Sequence, residues 1–141
     1  MLTRYKFSDF IFIFPIGAAG YSLLEVLWRG YTHWSMAITG GLCFCIIYQI
    51  SCKSPAKRLV QQTFHCAFAV TGIEFAAGCI LNLLFKMDVW DYSDLPFHLL
   101  GQICLPYFFL WALLCFPLHF LCTALSRWIR RLERVSADNC I

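Results

Sequence analysis

Four long apolar blocks constrain this chain more than any other feature of its sequence. They cover approximately residues 10–28, 34–50, 63–85 and 103–125. A helix rises about 1.5 Å per residue, so roughly 20 apolar residues cross the hydrocarbon core of a bilayer. Segments this long are unsuited to barrel strands, and an open sheet would leave unpaired backbone groups in lipid. The pattern predicts an all-α integral membrane protein in which residues 1–141 form one four-transmembrane-helix bundle.

The composition supports the membrane class and argues against several others. Hydrophobic residues make up 60% of the chain and charged residues 13%, whereas soluble domains average about 45–50% apolar and about 25% charged residues. The bases do not gather on one surface, so no nucleic-acid partner is expected. Most of the nine cysteines lie inside the apolar blocks and are interpreted as small packing residues. No nucleophile–base motif or zinc signature is present, so neither an enzyme nor a cofactor is expected.

The distribution of Lys and Arg predicts the orientation of the four spans. Nine bases lie at the two ends of the chain and between the second and third blocks, against two in the other connections. Because basic loops stay in the cytoplasm, both termini are expected there. The nine bases are Arg4, Lys6, Lys53, Lys57, Arg58, Arg127, Arg130, Arg131 and Arg134. The connection before the fourth block then forms an outer loop.

Both ends of the chain leave an alternative open. Arg4 and Lys6 precede an apolar run that could belong to a signal peptide. Apolar residues continue past the small residues 17–20 as far as Trp28, which favours a membrane span instead. The basic tail, 126–141, is predicted to lie as an amphipathic helix on anionic membrane lipid. Docking of a partner is the alternative for this tail.

Tryptophans and prolines give further expectations for the spans. Pro106 and Pro117 lie in the fourth block, and each is expected to bend its helix. Aromatic rings near the ends of spans prefer the headgroup region of the membrane. Four tryptophans at the block ends are therefore interpreted as interfacial anchors: Trp28, Trp34, Trp90 and Trp128.

Two acidic residues, Glu25 and Glu74, fall within the predicted spans. An ionised side chain near the bilayer centre costs about 2.5–3.5 kcal/mol, so such a residue needs a reason to be there. At helical spacing each lies with small and polar residues on one helix face, as helix packing in lipid favours. They are interpreted either as packing elements or as part of a proton or cation pathway. The polar candidates are Glu25, Arg29, Thr71, Glu74 and Asn82.

The predicted outer loop carries an acidic and aromatic motif made of Trp90, Asp91, Tyr92, Ser93, Asp94 and Pro96. The motif is interpreted as a structured re-entry into the fourth helix. Capture of a cation by Asp88, Asp91 and Asp94 is the alternative. A metal site on the fourth helix is not expected, because cysteines separated by whole helical turns cannot close a tetrahedron alone.

Several stretches of the chain resemble one known family. They are residues 90–97 (WDYSDLPF), 101–105 (GQICL), 20–25 (GYSLLE) followed by Arg29, and 73–78 (IEFAAG). These stretches are similar to those of the CmpB-like ABC-transporter permease family, type IV. The resemblance implies a transport function and a location in a bacterial inner membrane.

The chain departs from the family pattern at His98, Gln102 and Asn82. The family tends to carry asparagine at the position of His98 and arginine at that of Gln102. It also tends to carry a second glutamate near the position of Asn82. No Gly-x-x-x-x-Gly-Lys-Ser/Thr loop is present, so transport driven by ATP requires a separate ATP-binding subunit. We expect a permease-like transport subunit of unknown substrate within a homo-oligomer or a larger membrane complex. A non-transporting membrane scaffold or sensor subunit is the alternative.

Overall fold

The computed structural model describes residues 7–53 and 58–138 of the chain. Four α-helices follow the apolar blocks: α1 Phe7–Arg29, α2 Trp34–Lys53, α3 Leu59–Gly78 and α4 Leu105–Asp138. Each is long and apolar enough to cross a membrane, α3 together with its π-helical continuation Cys79–Leu84. The predicted all-α membrane fold with four spans is confirmed, whereas the cytoplasmic location of the termini stays a prediction. Three of the nine bases, Arg4, Lys6 and Lys57, lie outside the described residues.

Helix α4 differs most from its expected bounds. It begins at Leu105 and continues to Asp138, so the fourth block and the start of the basic tail form one helix of 34 residues. Pro106 lies in the first turn, where a missing backbone N–H breaks no helical hydrogen bond. Pro106 is therefore not expected to bend α4 from this position. Pro117 lies inside the helix, which stays α-helical through it.

Helix α2 is the centre of the bundle, because it packs against each of the other three helices. In its apolar stretch 61% of the residues are buried inside the protein, against 11% in that of α1. The core around α2 contains Ile13, Tyr48, Val70 and several thiols. All eight described cysteines are free and six of them are buried, in agreement with their interpretation as packing residues.

Helices α1 and α2 approach each other closely through glycines. A Cβ added at Gly17 would lie 2.3 Å from the Cβ of Phe44, and one at Gly40 would lie 2.2 Å from the Cβ of Tyr21. Small residues allow such close approach in lipid, where packing and hydrogen bonds replace the hydrophobic force between helices. The contact at Gly40 also fixes Tyr21, a residue of the candidate site described below.

A short hairpin precedes α4. Its strands, β1 His98–Leu99 and β2 Ile103–Cys104, are antiparallel, with His98 opposite Cys104. Leu100 and Gly101 both have positive φ, and the N–H of Gln102 donates to the Leu99 carbonyl at 3.0 Å. Two positive φ values are what a tight hairpin turn of type I′ requires. Ile103 and Cys104 therefore lie in a strand and not in the fourth helix as expected, because apolarity over two residues does not distinguish helix from strand.

The two connections 30–33 and 85–104 lie at the same end of the bundle, here called the loop end. A hydrogen bond of 3.1 Å from Arg29 Nη1 to the carbonyl of Val89 links the end of α1 to the longer connection. Strand β2 packs beside α3 and α4, and β1 pairs with β2. The loop end is therefore a folded cap on the bundle.

Replacing Gly17 by alanine is expected to destabilise the bundle by about 1–3 kcal/mol, as overpacking of a well-packed contact does. The added methyl group would overlap the Cβ of Phe44, which can move only if α2 moves. Thermal unfolding of the purified protein in mild detergent measures the effect. Gly20→Ala is the matched control on the same helix, because nothing lies within 4 Å of its added Cβ. Equal losses in both variants would contradict the described α1–α2 contact.

Candidate functional site

The carboxyl group of Glu74 joins three helices. Glu74 belongs to α3 and is 4% exposed. The hydroxyl of Tyr21 on α1 donates to its Oε1 at 3.3 Å, and Nε1–H of Trp111 on α4 donates to its Oε2 at 2.8 Å. The Tyr21 and Trp111 rings stack with their centroids 5.7 Å apart. Among the described residues no basic side chain forms an ion pair with Glu74, so its partners are neutral donors.

Glu25 has a different environment, at the loop end of α1. Arg29, one helical turn later, forms an ion pair with the Glu25 carboxylate, and the Thr32 hydroxyl donates to the other carboxylate oxygen. The same guanidinium donates to the carbonyl of Val89 and lies 5.0 Å from the ring centroid of Tyr31. The charge of Glu25 is therefore compensated locally. This arrangement fastens α1 to both connections of the loop end, which is a structural role.

Asn82 clamps the loop end onto the π-helical continuation of α3. Its amide Nδ2 donates to the carbonyl of Trp90 at 2.9 Å and to Gln102 Oε1 at 2.8 Å, and its Oδ1 accepts from the N–H of Val89 at 2.8 Å. Gln102 in turn donates to the Leu100 carbonyl at 2.9 Å. The three bonds engage both amide hydrogens of Asn82 and its side-chain oxygen. Asn82 therefore positions the loop motif and does not line the cleft described below.

Thr71 lies one turn before Glu74 on α3 and is half-buried. Its hydroxyl is enclosed and has no hydrogen-bond partner among the described residues. Thr71 does not line the cleft between α1 and α4. The structure therefore brings three of the five polar candidates, Glu25, Arg29 and Glu74, to one cleft, and it leaves Asn82 and Thr71 outside that cleft.

The motif of residues 90–96 folds as a compact turn. Asp91 Oδ1 accepts hydrogen bonds from the Ser93 hydroxyl at 2.5 Å and from the Ser93 N–H at 2.9 Å, and both bonds lower the pKa of Asp91. The Tyr92 ring stacks on that of Tyr107 with centroids 4.5 Å apart. Burial at this contact raises the pKa of the Tyr92 phenol. The motif thus connects the loop end to the first turn of α4.

Trp90 is the member of the motif that differs from its interpretation. It is 7% exposed, and its indole N–H donates to the carbonyl of Gln102 at 2.9 Å. A ring enclosed by protein cannot sit among lipid headgroups, so the interpretation of Trp90 as an anchor is wrong. In contrast, the other motif residues Asp91, Ser93, Asp94 and Pro96 are exposed and Tyr92 is half-buried.

The acidic residues of the loop end are not gathered for cation capture. Within residues 7–53 and 58–138, no group of three or more His, Cys, Asp or Glu side chains is placed to hold a metal ion. Asp91 directs a carboxylate oxygen at Ser93, and Asp88 and Asp94 are exposed. The geometry therefore gives no support to the alternative of cation capture at Asp88, Asp91 and Asp94.

A cleft of about 300 Å³ lies between α1 and α4, with Glu74 in its wall. Over their described lengths these two helices do not pack closely against each other. The cleft is lined by Tyr21, Leu24, Glu25, Trp28, Arg29, Met36, Glu74, Trp90, Tyr92, Tyr107, Leu110, Trp111 and Leu114. Leu24 and Trp28 at its edge are 52% and 75% exposed. The cleft therefore opens on the side of the bundle, between α1 and α4.

Sequence reasoning missed the aromatic residues of this cleft. Tyr21, Tyr107 and Trp111 have the apolar character expected of any residue in a span. One signal was present: Trp111 is the single tryptophan of five that lies inside a predicted span and not at its end. A buried indole N–H needs an acceptor, and Glu74 is that acceptor.

Replacing Asn82 by alanine is expected to loosen the loop end. The carbonyl of Trp90, the side-chain oxygen of Gln102 and the N–H of Val89 would each lose a partner, at a cost of about 1–3 kcal/mol for each group that stays buried and unpaired. Hydrogen–deuterium exchange of residues 88–102 in detergent should become at least tenfold faster. Gln61→Ala removes an exposed amide from the same α3 helix and should leave the exchange unchanged. Unchanged exchange in Asn82→Ala would refute the clamp.

Comparisons with known proteins give one match. No curated protein and no solved structure matches the chain. The model of the family described as "Putative ABC-transporter type IV" matches residues 10–139. The match includes all four spans and the loop end, and it is consistent with the resemblance found in the motif 90–97. The chain is therefore a multi-pass membrane protein that belongs to this ABC-transporter-related family.

Proposed function

We propose that the chain is a permease-like membrane subunit of a transporter, and that the transported molecule binds in the cleft beside Glu74. The observation that supports this most is the environment of Glu74. Its carboxyl group is buried in the cleft wall between α1 and α4 and contacts only neutral donors. Such a group attracts a proton or a cation, because a lone charge in an apolar site is costly.

A packing role alone does not require an acid at this position. A glutamine could accept from Trp111 through its oxygen and contact the Tyr21 hydroxyl through its amide, and it would carry no charge. Glu25 shows how a structural acid is treated in the same protein, since Arg29 neutralises it. The contrast between the two acids favours a functional role for Glu74.

The energy for transport comes, in this proposal, from a separate ATP-binding subunit. The sequence carries no phosphate-binding loop of its own. Helices α1, α3 and α4 have 11%, 28% and 22% of their apolar stretches buried inside the protein, which leaves wide apolar faces for lipid, for other subunits or for further copies of the chain. The proposal therefore places the chain in a larger membrane complex. In that complex the chain itself is not an enzyme.

The proposal also includes the orientation of the chain in a bacterial inner membrane. Both termini face the cytoplasm, because the basic residues concentrate at the ends of the chain and between α2 and α3. The exposed Arg127, Arg131 and Arg134 on the last part of α4 then lie beside the anionic inner leaflet. The loop end faces outward, and the cleft lies in the outer half of the membrane.

Reporter fusions test this orientation. Green fluorescent protein fused after Ile141 should fluoresce, whereas alkaline phosphatase at the same place should be inactive, because it folds only outside the cytoplasm. Alkaline phosphatase fused after Asp94, in the connection between α3 and α4, should be active. The reverse pattern at the two sites would overturn the proposed orientation.

Purification of the tagged protein from its native cells in mild detergent tests the transport proposal. An ATP-binding subunit is expected to remain bound in a fixed ratio through size-exclusion chromatography. Recovery of the chain by itself as a homo-oligomer would overturn ATP-driven transport. The remaining candidates would then be proton-coupled transport at Glu74 and the membrane scaffold or sensor, the latter favoured by the structural use of Glu25 and Asn82. A scaffold should function normally with Glu74→Gln, whereas the transport subunit should show the phenotype of a deletion strain.

A further inference from the structure

The cleft beside Glu74 opens at the side of the bundle, between α1 and α4. It covers Tyr21 to Arg29 on α1 and Tyr107 to Leu114 on α4. At 1.5 Å per residue, each of these stretches is about 10–12 Å long. Its edge residues Leu24, Trp28 and Leu110 are exposed apolar side chains. A molecule can therefore enter this cleft sideways from the hydrocarbon of the bilayer.

The size of the cleft limits what it can hold. Ligand pockets generally measure roughly 300–1,000 Å³, and this cleft, at about 300 Å³, is at the lower limit. It has room for a head group with a few adjoining methylene groups. The rest of a long chain would extend through the lateral opening into lipid. These dimensions fit an amphiphile that is held by its polar end.

The charged residues of the cleft determine which charge the head group of a bound molecule should carry. Three charged residues line it, and the guanidinium of Arg29 is engaged by Glu25 and by the Val89 carbonyl. Glu74 remains without an ion pair among the described residues. A positively charged head group would complete the pair that the protein itself does not supply.

The aromatic residues that line the cleft also favour a positively charged head group. Six of the thirteen lining residues are aromatic: Tyr21, Trp28, Trp90, Tyr92, Tyr107 and Trp111. The faces of such rings attract cations, by about 0.5–2 kcal/mol depending on desolvation. Tyr21 and Trp111 stack directly beside the Glu74 carboxyl group. Aromatic faces and an unpaired carboxyl group together form a common recognition arrangement for alkylated ammonium groups.

We propose that the cleft between α1 and α4 binds amphiphilic cations, which enter from the bilayer with the ammonium group against Glu74 and the tail in lipid. The inference names a substrate class for the proposed transport function and rests on it for the transport step. The binding step needs only the purified chain. The two proposals can therefore fail independently.

Binding of dodecyltrimethylammonium tests the inference. The protein is purified in dodecyl maltoside, whose uncharged head carries the same tail, and the probe is titrated below its micelle concentration while tryptophan fluorescence and thermal unfolding are followed. A saturable fluorescence change and a rise in Tm are expected for the native chain. Tetramethylammonium, which lacks the tail, and dodecanoate, which carries the opposite charge, should each bind at least tenfold more weakly.

Two variants test where the probe binds. Glu74→Gln should weaken binding at least tenfold, and Leu110→Trp should do the same by filling the mouth of the cleft without removing a hydrogen bond. Glu133→Gln makes the same chemical change far from the cleft, in the last part of α4, and should bind as the native chain does. The Tm of each variant without the probe shows whether it is folded. If Glu74→Gln does not fold, binding of the probe to Leu110→Trp still tests whether the probe occupies the cleft.

Three outcomes would overturn the inference. They are equal binding of the probe by the native chain and by Leu110→Trp, equal binding of tetramethylammonium, or equal binding of dodecanoate. If one of these occurs while an ATP-binding subunit is still recovered, the substrate class is wrong and the transport proposal stands. If amphiphilic cations bind and no such subunit is found, the cleft is a binding site in a scaffold or sensor.

Discussion

The hydrogen bonds on the Glu74 carboxyl group are the interaction on which the rest of the arrangement depends. Helices in lipid gain no hydrophobic force from meeting each other, so packing and polar contacts must hold them. One carboxyl group accepts from Tyr21 on α1 and from Trp111 on α4. These bonds join α1, α3 and α4 beside the cleft, although α1 and α4 do not pack closely against each other. The same group therefore holds the helices around the cleft and lies in its wall.

The remaining architecture holds this centre in place from two directions. From one side, α2 packs against all three other helices, and the glycine contact at Gly40 fixes the position of Tyr21 on α1. From the loop end, Asn82 and the Glu25–Arg29 pair fasten the long connection, so that Tyr92 covers the start of α4. Small residues, neutral amides and one ion pair thus hold the structure together. The carboxyl group of Glu74 has no ion pair among the described residues.

A neutral amide pair holds the loop end at Asn82 and Gln102, two positions where the chain departs from the resemblance described above. In this chain the two side chains form a neutral hydrogen bond of 2.8 Å, Asn82 Nδ2 to Gln102 Oε1. The two amides can pair because each offers both donors and an acceptor. The clamp at Asn82 is therefore built from uncharged groups.

The sequence by itself determined the membrane class, the four spans and the two acids that lie within them, because apolarity and length are properties of the local chain. It did not determine that α2 is central, that Ile103 and Cys104 form a strand, or that Trp90 is buried. It also did not distinguish the roles of Glu25 and Glu74. These features depend on which side chains from distant segments meet: Arg29 reaches Glu25 within one helix, but the partners of Glu74 come from helices 53 and 37 residues away in sequence. Only the tertiary structure brings those donors to one carboxyl group and leaves a cleft beside it.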